Sequence, residues 1–296
     1  MIAGHGMPPT DWPLARHSRR VTAGGVDWHV QVMGEGPDLL LIHGTGASTH
    51  SFRDIAPILA ESHRVIMADC PGLGFTSRPS RPLTLQTMAS MHAEMLAKLG
   101  AAPKVVVGHS AGAVIAIEMA LDGRIAPELL VSLNGALLPF PGLAGRLFPK
   151  IAKVVYRNPI VPRFFAYRAK SESAVSGLLD GTGSVLSPEG KALYARLFQD
   201  RHHVAGTLSM MSHWDLDRFS GRLDRLTIPL LLLTGDRDKA IPPSVSHRVA
   251  DRVRNGRVVV LDGLGHLAHE EAPERVAGII AEEAKTVSDG SKQAEV

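Results

Sequence analysis

Apolar residues in this chain fall into short dense runs separated by longer stretches with a helical period. Leu39–Ile42, Val65–Ala68, Val105–Val107, Leu129–Leu133, Leu230–Leu233 and Val258–Leu261 read as strands buried on both faces. Val26–Val32 alternates apolar and polar positions, the pattern of an earlier antiparallel strand with one wet face. Between these runs, Phe52–Glu61, Leu85–Leu99, Ala111–Leu121, Val245–Val253 and Pro273–Ala284 have helical spacing. Strand and helix in alternation predict a mostly parallel sheet with helices on both faces. The rhythm breaks after the strand ending near Leu133. Residues 137–226 contain helical pieces and no convincing strand, which predicts a helical cap inserted into a core made of residues 1–136 and 227–296. The polar tail from Val287 to Val296 reads as frayed.

The loops after the strands carry the candidate chemistry. Gly108-His109-Ser110-Ala111-Gly112 follows a β-branched run and precedes a small-residue helix. That is G-x-S-x-G in the strand–turn–helix context of a nucleophile elbow, with glycines giving a serine on a tight turn the room it needs. Upstream, Leu39–Ile42 ends in His43-Gly44-Thr45-Gly46. A backbone opening there can aim N–H groups at a developing oxyanion, and Thr45 and Ala111 are the expected donors. Downstream, Pro229–Gly235 empties into Asp236-Arg237-Asp238, and the last strand into Asp262-Gly263-Leu264-Gly265-His266. The chain order is therefore Ser110, an aspartate, His266, each just past a strand's carboxyl end, where parallel sheets place their sites.

On these motifs the chain resembles the α/β-hydrolase family over essentially its whole length. The matching pieces include His43-Gly44, Asp69-Cys70-Pro71-Gly72-Leu73-Gly74, the elbow, Gly235-x-x-Asp238-x-x-x-Pro242 and Gly263-x-Gly265-His266. The resemblance implies an α/β-hydrolase fold and puts the acid at Asp238, with Asp236 as the alternative. Some members carry the acid one strand earlier; here that strand ends Ser132-Leu133-Asn134-Gly135, without a carboxylate. A narrower resemblance rests on Asp27–Gly34, His43–Ser51, Leu133–Phe140, Gly142–Pro149 and Met210–Leu216. These are similar to the hydrolase-like magnesium-chelatase accessory proteins of bacteriochlorophyll biosynthesis, which implies a pigment-pathway role and an association with the chelatase.

Composition narrows the setting. The 296 residues are 45% hydrophobic and 21% charged, with a net charge of +3, which is globular and announces no nucleic acid. A single cysteine, Cys70, permits no internal disulfide and fits a reducing compartment, the cytoplasm. Met1–Pro13 lacks the apolar core of a secretory signal, and no run of about 18 apolar residues suits a membrane span. No cofactor is implied. His266-x-x-His269 has metal-like spacing but no carboxylate-rich partner, so no metal is expected.

The expected cap has a basic, aromatic stretch. Arg146, Lys150, Lys153, Arg157, Arg163, Arg168 and Lys170 fall in an interval without Asp or Glu, interleaved with Phe140, Phe148, Tyr156, Phe164, Phe165 and Tyr167. These residue types suit a flat lipophilic anion such as a porphyrin, with Arg157, Arg163 and Arg168 meeting carboxylates. They also suit an anionic membrane surface contacted peripherally, or a solvated helix face. His43, Gly44, His109, Phe140 and Trp214 complete the expected substrate wall, and Trp214 reads equally as core. Two functions remain open. One is a serine hydrolase acting on a small ester-like substrate; the other is a tetrapyrrole-binding or chelatase accessory protein on the same fold.

Overall fold

The computed structural model describes residues 6–139, 167 and 171–294. Eight strands form one sheet in the order β1-β2-β4-β3-β5-β6-β7-β8. They are β1 (Ser18–Ala23), β2 (Val26–Met33), β3 (Asp38–Ile42), β4 (Arg64–Ala68), β5 (Val105–His109), β6 (Leu129–Leu133), β7 (Leu230–Gly235) and β8 (Gly256–Leu261). β1 pairs antiparallel with β2 and β2 with β4; every later pairing is parallel. The expected mostly parallel sheet is present.

Period-two alternation divides the core into two layers. Leu40, Ile42, Ile66, Val106, Leu130 and Leu232 face one way, against α2 (Leu85–Leu99), α3 (Ala111–Leu121) and α8 (Ser244–Ala250). Leu39, Leu41, Val65, Val107, Val131, Leu231 and Leu233 face the other, against α1 (Ile55–Leu59) and α10 (Pro273–Ala294). Helix ends follow local rules. Thr84 caps α2 by accepting from Thr87 N–H, and Gly100 closes it at φ 59°.

Four helices lie between β6 and β7 among the described residues: α4 (Glu172–Asp180), α5 (Pro188–Phe198), α6 (Arg201–His213) and α7 (Leu216–Ser220). A last short helix, α9 (Ala268–Glu271), precedes α10. Phe140 and all seven basic residues from Arg146 to Lys170 lie outside the described residues.

Several sequence expectations need correction. β1 was not foreseen, because Ser-Arg-Arg-Val-Thr-Ala has one buried residue and sits at the sheet edge. β8 is the opposite edge, so only Leu261 is fully buried, and it is not a strand covered on both faces. The helix expected over Phe52–Glu61 is a 3₁₀ turn at Thr49–Phe52 followed by the five residues of α1. α10 continues to Ala294 instead of fraying at Val287. His269 lies in α9, the short helix before α10.

Parallel pairing aligns the strand ends. Ile42 sits opposite Gly108, Gly108 opposite Ser132, Leu133 opposite Leu233 and Gly235 opposite Leu261. The loops after β3, β5, β6, β7 and β8 therefore emerge at one edge.

Candidate active site

Ser110 occupies the turn between β5 and α3 with φ 50° and ψ −114°. A non-glycine residue there carries about 1–3 kcal/mol of strain, which the surroundings must hold. They do so from both sides. Ser110 N–H donates to Leu133 O at 2.9 Å, and Ser110 O accepts from Ala113 N–H and Ala136 N–H, each at 3.2 Å. The flanking glycines are required by close approach. A Cβ on Gly108 would lie 2.3 Å from Ala113 N, and one on Gly112 would lie 2.0 Å from Ile42 O.

Ser110 and His266 line one cavity of about 590 Å³ together with Thr45 and Ala111. Ala111 opens α3, so its N–H belongs to a helix start, where donors have no acceptor within the helix. The rest of the wall is mainly apolar: Ala136, Pro139, Met210, Met211, Trp214, Leu216, Ala240 and Ile241. Asp215 and Asp217 also line it and are exposed.

Asp238 lies behind His266. Its Oδ2 is 2.8 Å from His266 Nδ1 and accepts from Asn134 Nδ2, also at 2.8 Å. Its Oδ1 accepts from the N–H groups of Ala240 and Ile241, each at 2.8 Å. An ionised carboxylate only accepts, so this contact puts the imidazole proton on Nδ1 and leaves Nε2 as the basic nitrogen. Asp236 makes no such contact. It is exposed and accepts from Gly263 N–H at 2.7 Å, bracing the loop that carries His266.

His43, Gly44 and His109 are buried and are not among the residues lining that cavity. His43 is fully buried, with Nε2 accepting from Cys70 N–H and Nδ1 donating to Gly44 O, each at 2.8 Å. His109 Nε2 donates to His266 O at 3.0 Å, and its ring packs 4.9 Å from that of His266 and 4.6 Å from that of His269. Burial first, then its histidine neighbours, holds His109 well below the ordinary imidazole range. Burial likewise pushes His269 down to about 3. Both are neutral near pH 7, so His266 has uncharged rings beside it and one anion beneath it. Trp214 does line the cavity, and its indole Nε1 has no hydrogen-bond partner among the described residues. Phe140, Arg157, Arg163 and Arg168 fall outside the described residues.

Several supports had no local sequence signal. His203, on α6, accepts from Gly74 N–H at 3.0 Å and donates to Gly46 O at 3.1 Å, tying that helix to the loop after β3. Asp69 holds the same loop by accepting from Thr49 N–H at 2.7 Å. Buried Glu270 accepts from Ser51 at 2.6 Å, Tyr194 at 2.7 Å and Arg53 at 2.6 Å. Ser184 accepts from Leu267 N–H at 2.8 Å, next to His266. Each contact spans tens of residues or more, so pattern reading along the chain could not pair them. Among the described residues no group of three or more His, Cys, Asp or Glu side chains is placed to hold a metal ion, and no helix is long and apolar enough to cross a membrane.

Comparison with known proteins gives the same architecture. The family model described as "alpha/beta hydrolase fold" matches residues 37–273. The magnesium-chelatase 30 kDa subunit of Rhodobacter capsulatus is 39% identical over 279 residues, covering 92% of this chain and 96% of that protein. An alpha/beta hydrolase fold protein from Burkholderia ambifaria superposes with a TM-score of 0.76 at 23% identity, over 94% of this chain and 99% of that one. The esterase from Exiguobacterium antarcticum has a TM-score of 0.75 at 20% identity, over 90% and 98%. At such identities the last two speak to the fold alone.

Proposed function

The chain belongs to the α/β-hydrolase fold family, and from that premise we propose that it is a serine hydrolase cleaving an ester-like bond. The observation that carries this reading is the Asp238–His266 contact of 2.8 Å beneath a cavity that Ser110 also lines. In the proposed reaction Ser110 Oγ attacks the ester carbonyl carbon while His266 Nε2 takes the hydroxyl proton. Asp238 keeps the imidazole oriented and stabilises the cation. The N–H groups of Thr45 and Ala111 hold the oxyanion, each donor worth about 3 kcal/mol in comparable sites. The alcohol leaves with the proton from His266. Water then attacks the acyl-enzyme, again giving its proton to His266; the Ser110 Oγ–acyl bond breaks, His266 returns the proton to Oγ, and the carboxylic acid departs. A serine at the elbow does not suit epoxide or haloalkane opening, which ordinarily uses an aspartate there.

The cavity size and its Met210, Met211 and Trp214 wall suit a lipophilic, flat substrate. The 39% relative is named as a magnesium-chelatase subunit, which supports a substrate or partner in magnesium-porphyrin chemistry. In this reading residues 137–226 act as a cap over the cavity. The basic residues Arg157, Arg163 and Arg168 hold porphyrin carboxylates or contact an anionic membrane surface. The same relative favours a second reading, in which the chain binds a tetrapyrrole and assists a chelatase without turnover.

A fluorophosphonate probe separates the two. Stoichiometric labelling of Ser110, with turnover of short-chain or porphyrin esters, is expected. A folded protein that binds protoporphyrin but neither labels nor turns over any ester would leave the accessory reading. Replacing Arg157, Arg163 and Arg168 together with Gln should weaken protoporphyrin quenching, more so at low salt. Small neutral esters should be hydrolysed as before. Equal porphyrin affinity in wild type and the triple variant, at low and at high salt, would return that segment to a solvated surface.

A further inference from the structure

We propose that Asn134 is a positioning residue that sets the Asp238–His266 pair and keeps it in register with Ser110, an inference that rests on the serine-hydrolase reading. Asn134 is fully buried at the end of β6, with φ 48°. Asparagine suits that left-handed backbone, and backbone preference alone could account for the residue type. The side chain goes further. Its Nδ2 donates to Asp238 Oδ2 at 2.8 Å, the same oxygen that meets His266 Nδ1, and to Gly265 O at 3.2 Å. One amide group thus holds both the acid and the peptide immediately before the histidine.

The contact fixes the carboxylate's rotation. With Oδ1 held by two backbone N–H groups and Oδ2 by Asn134, the remaining acceptor direction of Asp238 points at His266. The backbone of the same turn carries the third member. Leu133 O accepts from Ser110 N–H, Ala136 N–H donates to Ser110 O, and Asn134 N–H donates to Leu233 O at 2.8 Å. A Cβ on Gly135 would fall 2.1 Å from Ser132 Oγ, so a side chain there would force Ser132 to move. Residues 133–136 therefore link the loops after β5, β7 and β8, and Asn134 is the member whose side chain does so.

Among the described residues the charged and titratable groups around the pair are few. His109 packs against His266 and His269 against His109, both neutral; Glu271 accepts from Gly265 N–H at 2.8 Å; Arg237 and Lys239 on the acid loop are exposed; Asp215 and Asp217 line the cavity with His266. A new charge at position 134 would consequently be felt mainly by Asp238 and His266.

The test uses the whole protein, with thermal unfolding run on every variant. Asn134→Ala should lower kcat/KM about 10- to 100-fold, mostly in kcat, the span expected for a hydrogen bond to a charged group. Asn134→Asp places a second carboxylate beside Asp238. At that distance the two buried carboxyls share one proton, so the variant should lose rate and the acid limb of its pH–rate profile should move. In an Asp238→Asn background, Asn134→Asp should restore part of the lost kcat. The low-field proton resonance of His266 Nδ1–H should shift in Asn134→Ala relative to wild type, whether or not any ester is turned over.

Wild-type rates in Asn134→Ala with an unmoved resonance would overturn the proposal. So would a loss of rate with an unmoved acid limb in Asn134→Asp and no rescue, the behaviour of a residue that only shapes the turn. A wild-type protein that neither labels nor turns over would overturn the hydrolase reading. The resonance would still decide whether Asn134 sets the imidazole–carboxylate pair.

Discussion

At the scale of single residues, strain and burial set the terms. Ser110 sits at φ 50° because the backbone around it is tied to β6 and α3, and its side chain opens into the cavity that His266 shares. If Ser110 and His266 act as a unit, Ser110→Ala and His266→Ala should each remove nearly all ester turnover, and the double variant should lose little more. Steady-state kinetics on the three proteins checks this; additive losses would reject a shared mechanism. The two candidate acids separate just as cleanly. Asp238→Asn should lower kcat by about 10⁴-fold, because the histidine tautomer is no longer enforced. Asp236→Asn removes only an exposed brace to Gly263 N–H and should change kcat by about twofold or less, since exposed contacts are worth little. A reversed result would mean that the acid is Asp236.

At the scale of elements, the charge of the cavity wall has a consequence of its own. Asp215 and Asp217 are the acidic residues on that wall, and among the described lining residues there is no Lys or Arg. A substrate bearing a carboxylate near α7 should be disfavoured against its neutral ester. Replacing both aspartates with Asn should raise kcat/KM for the acid about threefold, as for partly screened surface charges, and leave the neutral ester unchanged. Equal gains for both substrates would show a packing effect instead of a charge effect. The elements themselves were legible in unequal measure. Strands such as Leu129–Leu133 and helices such as Leu85–Leu99 are present at the expected bounds, because apolar runs and capping residues are local signals. β1 was not legible, since an edge strand needs no apolar run and its Arg20 is held by Asp27. The loops carrying Ser110, Asp238 and His266 were legible because glycines and strand ends mark them. Asn134, His203 and Ser184 were not. Their partners lie 104, 157 and 83 residues away along the chain, and nothing in a linear pattern reports a contact of that kind.

At the scale of the whole molecule, buried histidines decide how the protein responds to acid. His43, His50, His92, His109, His203 and His269 are buried, and in each case burial is the main force holding the imidazole below its ordinary value. His92 and His203 are pushed down to about 4 and His269 to about 3. In the unfolded chain the same rings titrate near 6.5. Above that value both states are neutral and these groups do not affect the balance. As pH falls below about 6.5 the unfolded chain takes up protons that the folded one refuses, so stability falls by about 1.4 kcal/mol per pH unit for each such histidine. For His92 and His203 the loss continues to about pH 4, where the folded rings also protonate. Glu270 opposes the trend, because burial raises its carboxyl despite Arg53, and protonating it favours the folded state. One carboxyl does not offset several imidazoles. The melting temperature should therefore be nearly flat from pH 8 to 6.5 and drop steeply between 6.5 and 4. His92 gives the sharpest control, since it packs against Trp28 at 5.0 Å and donates to Met88 O at 2.7 Å, away from the cavity. His92→Gln should be less stable than wild type at pH 7, having lost that packing, yet lose stability less steeply on acidification, by one proton's share of the slope. Denaturant titrations at pH 7.5, 6.0 and 5.0 measure both quantities. Parallel curves for the two proteins would show that His92 takes up its proton over the same pH range folded as unfolded, and the burial argument would fail for it.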